Sequence, residues 1–136
     1  MSSGKEPPTL LYVEDEILIQ APVIAALEEA GFTLLVADDG NQALKLLSAD
    51  NGTVRGLITD VNLGDGPDGW EVAREARKLI SDLPVVYVSA ASEHEWSSEG
   101  VPASTMIAKP FASAQLVVGI STLMTFPAPS GGRAEP

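Results

Sequence analysis

The sequence predicts an α/β fold, a doubly wound five-stranded parallel sheet with helices on both faces. Five short β-type runs alternate strictly with helix-type segments along the 136 residues. Most of those runs are continuously apolar, as strands covered on both faces are, and do not alternate with polar residues. Strand–helix alternation of this kind builds one parallel sheet. The length holds one domain with a core, and not two.

The elements are taken in chain order. Residues 1–8 ("MSSGKEPP") are small, polar and Pro-rich, and are expected to be disordered. The first strand is Leu10–Val13 ("LLYV"), and the helix after it places Ile17, Ala21, Ile24 and Ala25 on one face. Pro22 removes a backbone bond inside that helix, so a kink is expected there, not a break. The second strand is Thr33–Val36 ("TLLV"), followed by a helix over Asn41–Asp50 with Ala43, Leu44 and Leu47 inward. Gly56–Thr59 ("GLIT") is the third strand, and Val72, Ala73, Ala76, Leu79 and Ile80 share a face of the next helix. Val85–Ser89 ("VVYVS") is the fourth strand. The short helix behind it starts at Ser92, where "SEHE" matches a capping box, and ends near Gly100. Thr105–Ala108 ("TMIA") is the fifth strand, and Leu116, Ile120, Leu123 and Met124 line the last helix. The domain therefore spans 9–125, and the Pro/Gly-rich tail 126–136 is expected to be disordered. There are no internal repeats.

Composition narrows the function. A net charge of -11, with eight scattered Lys and Arg, argues against nucleic-acid binding, which needs clustered cations for phosphate contacts. With no cysteine there is no disulfide, thiol nucleophile or thiolate metal site. No apolar run approaches the roughly 18 residues of a membrane span, and the N-terminus lacks a signal-peptide core. A soluble cytoplasmic protein is expected. G-x-G-x-x-G after the first strand, Walker A and G-x-S-x-G are all missing, which removes the usual dinucleotide, NTPase and hydrolase chemistries of such folds. His94, the single histidine, is expected on a solvated helix, and Trp70 and Trp96 as partly buried core residues.

In doubly wound sheets, sites lie at the carboxyl ends of the strands. Here those ends carry Glu14, Asp15 and Glu16, then Asp60, then Ser89, then Lys109. Any one of them is an ordinary polar strand end. Together they form a carboxylate cluster facing one hydroxyl and one lysine. Lys109 is the sole charge in "TMIAKPF", and burying its ammonium is costly unless an anion lies opposite. Clustered carboxylates in turn repel one another unless a cation joins them. All-oxygen ligands with room for water and phosphate suit Mg²⁺.

The stretch Asp60–Glu71 ("DVNLGDGPDGWE") also has the spacing of a calcium loop. Asp60, Asn62, Asp68 and Glu71 occupy the first, third, ninth and twelfth positions of an EF-hand. That possibility fails, because an apolar strand precedes Asp60 where a helix is required, and Asp65 stands where the sharp-turn glycine belongs. Gly64–Gly66 are expected to make the turn, with Asp65 solvated, Asp68 capping the third helix and Glu71 in its first turn.

The motifs "VEDE", "ITDVNL", "VVYVSA" and "AKPF", in that order and spacing, resemble the response-regulator receiver domain from about Leu10 to Met124. The resemblance implies a (βα)5 flavodoxin-like fold with strand order 2-1-3-4-5. It makes Asp60 the acceptor of a phosphoryl group from a phosphohistidine on a sensor histidine kinase or a histidine phosphotransferase. Asp15 and Glu14 would hold Mg²⁺ together with Asp60 and the backbone carbonyl of Asn62. Ser89 would hydrogen-bond the phosphoryl oxygen, Lys109 would pair with it, and Lys109–Pro110 would be cis. Three residues before the lysine the family often carries Tyr or Phe as a switch with the Ser or Thr. Here Met106 stands there, either a packing switch with Ser89 or a plain core methionine.

The chemistry expected is a phosphoacceptor switch, not an enzyme acting on other substrates, since it catalyses only its own phosphorylation and dephosphorylation. The chain stops about a dozen residues past the last helix, so a single-domain regulator is expected. Its output would be a downstream protein bound at the face of the fourth helix, fifth strand and fifth helix, and a homodimer is left open. Alternatives are a receiver-like interaction module that is never phosphorylated, and a phosphate shuttle or sink in a phosphorelay. An aspartyl-nucleophile phosphatase ranks low, because it needs its nucleophile at the end of the first strand with a second Asp two residues on, where this chain has Glu14–Asp15–Glu16.

Overall fold

The computed structural model describes residues 7–50, 52–90 and 93–125, with the backbone alone at 93 and 94. The strands are β1 (Thr9–Val13), β2 (Thr33–Ala37), β3 (Val54–Asp60), β4 (Val85–Ser89) and β5 (Ser104–Ala108). They alternate with α1 (Ile17–Glu29), α2 (Gly40–Ala49), α3 (Gly69–Leu79), α4 (Glu93–Glu99) and α5 (Ser113–Thr125). All four strand pairings are parallel, in the order β2-β1-β3-β4-β5. This is the five-stranded flavodoxin-like arrangement the sequence predicts.

Two apolar layers sandwich the sheet. Leu10, Tyr12, Ile58 and Val86 face α1 and α5, where Val23, Leu27, Leu116 and Ile120 close over them. Leu11, Leu57, Val85 and Tyr87 face the other way, onto Ala43 and Leu47 of α2 and Trp70, Val72 and Ala76 of α3. Alternating sides along each strand is the ordinary period of two.

Two expectations about helix faces are corrected. On α1 the buried residues are Val23 and Leu27, with Ile19 and Ile24 packed beside them, while Ile17, Ala21 and Ala25 are exposed. Nearly every residue from Ile17 to Leu27 is apolar, so periodicity cannot choose the inner face. Leu79, expected inward on α3, is 60% exposed at the helix end, while Ile80, also expected inward, does pack against the core. The helix α1 runs through Pro22 unbroken. Strand β3 starts at Val54, earlier than the apolar run indicates, because the exposed Arg55 interrupts that run. Segments 1–6 and 126–136, the Ser92 capping position and the side chain of His94 lie outside the described residues.

Candidate functional site

The parallel order brings the carboxyl ends of β1, β3, β4 and β5 to one edge, where Glu14, Asp15, Asp60, Ser89 and Lys109 all lie, while Met106 does not. Asp60 is the last residue of β3 and only 4% exposed. Its Oδ2 accepts a hydrogen bond from Lys109 Nζ at 2.9 Å, and its Oδ1 accepts from the backbone N–H of Asn62 at 3.3 Å. Lys109 follows β5 directly. Its own N–H donates to the Ser89 carbonyl at 3.0 Å, which ties the lysine to the end of β4, and the Lys109–Pro110 bond is cis. Ser89 is buried beside it.

Glu14 and Asp15 follow β1. Glu14 is buried, and its Oε2 accepts from the backbone N–H of Glu16 at 3.1 Å. Asp15 is exposed. One carboxylate oxygen from each of Glu14, Asp15 and Asp60 lies within 4.8 Å of the others. An all-carboxylate donor set open to solvent on one side fits a hard divalent cation such as Mg²⁺. Asn62, expected to add its carbonyl, lies in the turn just after Asp60 with its N–H on Asp60 Oδ1.

The electrostatics follow from burial. Desolvation pushes the Glu14 carboxyl up to about 7, and the neighbouring Asp60 adds to the effect. Asp60 is also raised, burial outweighing the opposing pull of Lys109. Burial works against the charge on Lys109, but the hydrogen bond and charge of Asp60 outweigh it and hold its pKa above the usual value. The site thus has more buried negative charge than one lysine neutralises.

The loop leaving Asp60 is held by backbone contacts. Gly64 and Gly66 take φ of 75° and 90°, left-handed conformations that suit glycine, and make the predicted turn. The Asp68 carboxylate accepts from the N–H of Glu71 at 3.0 Å and caps α3. Gly69 donates to the Val61 carbonyl at 2.8 Å, and a Cβ there would lie 2.2 Å from the Asp60 carbonyl oxygen. No EF-hand forms, and the acids of this stretch part company as expected.

Met106 is the residue that stands apart. It is half-buried on the α3 side of β5, opposite Tyr87. Two residues escape a reading of the sequence alone. Gln20 bridges the site loops, its Nε2 donating to the Glu14 carbonyl at 2.6 Å and to Asp38 Oδ1 at 2.9 Å. The signal was there, since Gln20 is the sole polar side chain between Ile17 and Leu27. Tyr12 is buried on the same sheet face as Glu14, and its hydroxyl has no hydrogen-bond partner among the described residues. Burial, then the charges of Glu14 and Asp60, raise its pKa.

Residues 10–121 match the family model of the response regulator receiver domain. The chain belongs to this family. As a receiver domain it is 32% identical over 117 residues to the transcriptional regulatory protein CusR of Escherichia coli, covering 85% of this chain and 50% of that protein. It is 30% identical over 126 residues to the transcriptional regulatory protein PrrA of Mycobacterium tuberculosis, covering 91% and 53%. The chain thus spans about half the length of the curated relatives it matches. Among solved structures, a receiver protein from Sinorhizobium medicae superposes with a TM-score of 0.84 at 36% identity, over 89% of this chain and 97% of that one. The receiver domain of the hybrid histidine kinase CckA gives 0.71 at 28% identity, over 85% and 98%. No helix among the described residues is long and apolar enough to cross a membrane.

Proposed function

We propose that this receiver domain is the phosphoacceptor of a two-component system, taking a phosphoryl group onto Asp60 from a phosphohistidine on a sensor kinase or phosphotransferase. The observation that carries this is the pair of buried Asp60 with half-buried Lys109 at 2.9 Å, with the Glu14 and Asp15 carboxylates gathered against it. An Asp60 carboxylate oxygen attacks phosphorus in line. The O–P bond forms as the P–N bond of the phosphohistidine breaks, and the electron pair stays on the imidazole. Lys109 meets the new negative charge with its ammonium, and the Ser89 hydroxyl donates to a phosphoryl oxygen. Glu14, Asp15, Asp60 and the Asn62 carbonyl would hold Mg²⁺, which supplies further neutralisation of the phosphoryl oxygens. The chain acts on its own carboxylate and not on a released substrate. It works in the cytoplasm, and its output is a protein partner at the α4–β5–α5 face.

Incubation with acetyl phosphate and Mg²⁺, followed by intact-mass measurement, tests this. A gain of one phosphoryl group is expected in the native chain and none in Asp60→Asn. No gain in the native chain, or the same gain in the variant, overturns the assignment.

A further inference from the structure

The aromatic ring absent at position 106 is present on the neighbouring strand. Tyr87 is fully buried in β4, directly opposite Met106 on β5 and two residues before Ser89 on the same sheet face. Its ring packs on Trp70, with centroids 4.6 Å apart and planes at 58°. Trp70 follows Gly69, the residue wedged against the Asp60 carbonyl. The ring therefore lies between α3, the helix that follows the Asp60 loop, and β5, the strand that leads to Lys109.

Its hydroxyl points the other way, toward the α4–β5 loop. The Tyr87 oxygen accepts the backbone N–H of Val101 at 3.0 Å. The Val101 carbonyl accepts from Ser104 Oγ at 2.7 Å, and that hydroxyl accepts from Trp96 Nε1 of α4 at 2.9 Å. Hydrogen bonds thus run unbroken from the middle of the sheet to a half-buried tryptophan on α4.

We propose that Tyr87 is the positioning residue that couples the state of Asp60 to the α4–β5 loop, through its hydroxyl bond to Val101. This rests on Asp60 being the phosphoacceptor. A phosphoryl group on Asp60 draws Ser89 toward it, and Tyr87, two residues back on the same strand, moves with it. Met106 gives the ring room, because its three rotatable bonds let it refill the space without a void. Two discrete arrangements result, with the Val101 amide bonded to the phenol oxygen or released, and this bistability is what coupling between sites requires.

Amide exchange at Val101 and the emission of Trp96, isolated by Trp70→Phe, read the two arrangements. Beryllofluoride with Mg²⁺ is expected to speed Val101 exchange ~10-fold, as a local opening does, and to shift Trp96 emission. Tyr87→Phe, which removes one oxygen, should exchange fast with or without beryllofluoride and lose the shift. It should still gain a phosphoryl group from acetyl phosphate. Unchanged Val101 protection in the native chain, or a full emission shift in Tyr87→Phe, overturns the coupling. If the native chain gains no phosphoryl group, the phosphoacceptor assignment falls and the coupling with it; mass gain with a silent Val101 sinks the coupling alone.

Discussion

The two helical layers of this receiver domain are built on different terms. Helix α3 is divided by charge, burying Trp70, Val72, Ala73 and Ala76 while Glu71, Arg74 and Lys78 face water. Both α2 and α3 start on an aspartate, Asp39 and Asp68, whose side chain accepts a backbone N–H. Arg77 adds a tie from α3 to the Leu83 carbonyl at 2.7 Å. Helix α1, across the sheet, has no side-chain cap and is apolar nearly all round, with Ile17 and Leu18 exposed at 70% and 90%. One layer is located by pattern and polar ties, the other by bulk burial with apolar surface to spare. The first should tolerate less change than the second.

The largest expected effect is in the first layer. Gly69→Ala would force a Cβ to 2.2 Å from the Asp60 carbonyl, a clash with backbone that cannot rotate away. It should cost about 3 kcal/mol in urea unfolding and depress phosphoryl uptake at Asp60.

Next comes the buried charge on the α1/α5 side. Glu14, raised to about 7 from 4.5, keeps its proton in the folded chain across a pH range where the unfolded chain has lost it. Stability should therefore fall as pH rises from about 4.5 to 7, by about 2–3 kcal/mol in all. Glu14→Gln should flatten that slope, and urea titrations between pH 5 and 8 with each chain will show whether it does.

Gly56→Ala is the counterpart of Gly69→Ala. Its Cβ would meet Leu10 at 2.8 Å and Ile120 at 3.0 Å, both tips of flexible side chains in the α1/α5 layer. A cost of about 1 kcal/mol is expected; a cost above that of Gly69→Ala would break the contrast between the layers. Smallest of all, Leu18→Glu on the outer face of α1 should move stability by less than about 0.5 kcal/mol and leave uptake from acetyl phosphate unchanged.

Much of this was legible in the sequence, for a physical reason. Strands buried on both faces must be continuously apolar, so β1 and β4 stand out, and the first polar residue after each run marks the site edge. Lys109, alone in its apolar stretch, demanded an anion, and the structure sets it on Asp60. The inner face of α1 was not legible, because an all-apolar helix has no phase. Nor was the Tyr87–Val101 bond, which joins residues fourteen apart through a loop that no local pattern specifies. The ring missing at 106 was visible, but its neighbour across the strands became apparent only with the register.

The strand order has a consequence for how the molecule comes together. Glu14, Asp15 and Asp60 are in place once β1 and β3 pair, yet the lysine that offsets them arrives on β5, the edge strand and last in the chain. A partly assembled sheet would hold Glu14 and Asp60 close together as the core dries, each raising the energy of the other's charge. Closure of the edge offsets part of that repulsion, through the ion pair of Lys109 with Asp60. The Lys109–Asp60 ion pair therefore favours all-or-none assembly, and a half-built sheet is penalised at its carboxylate cluster.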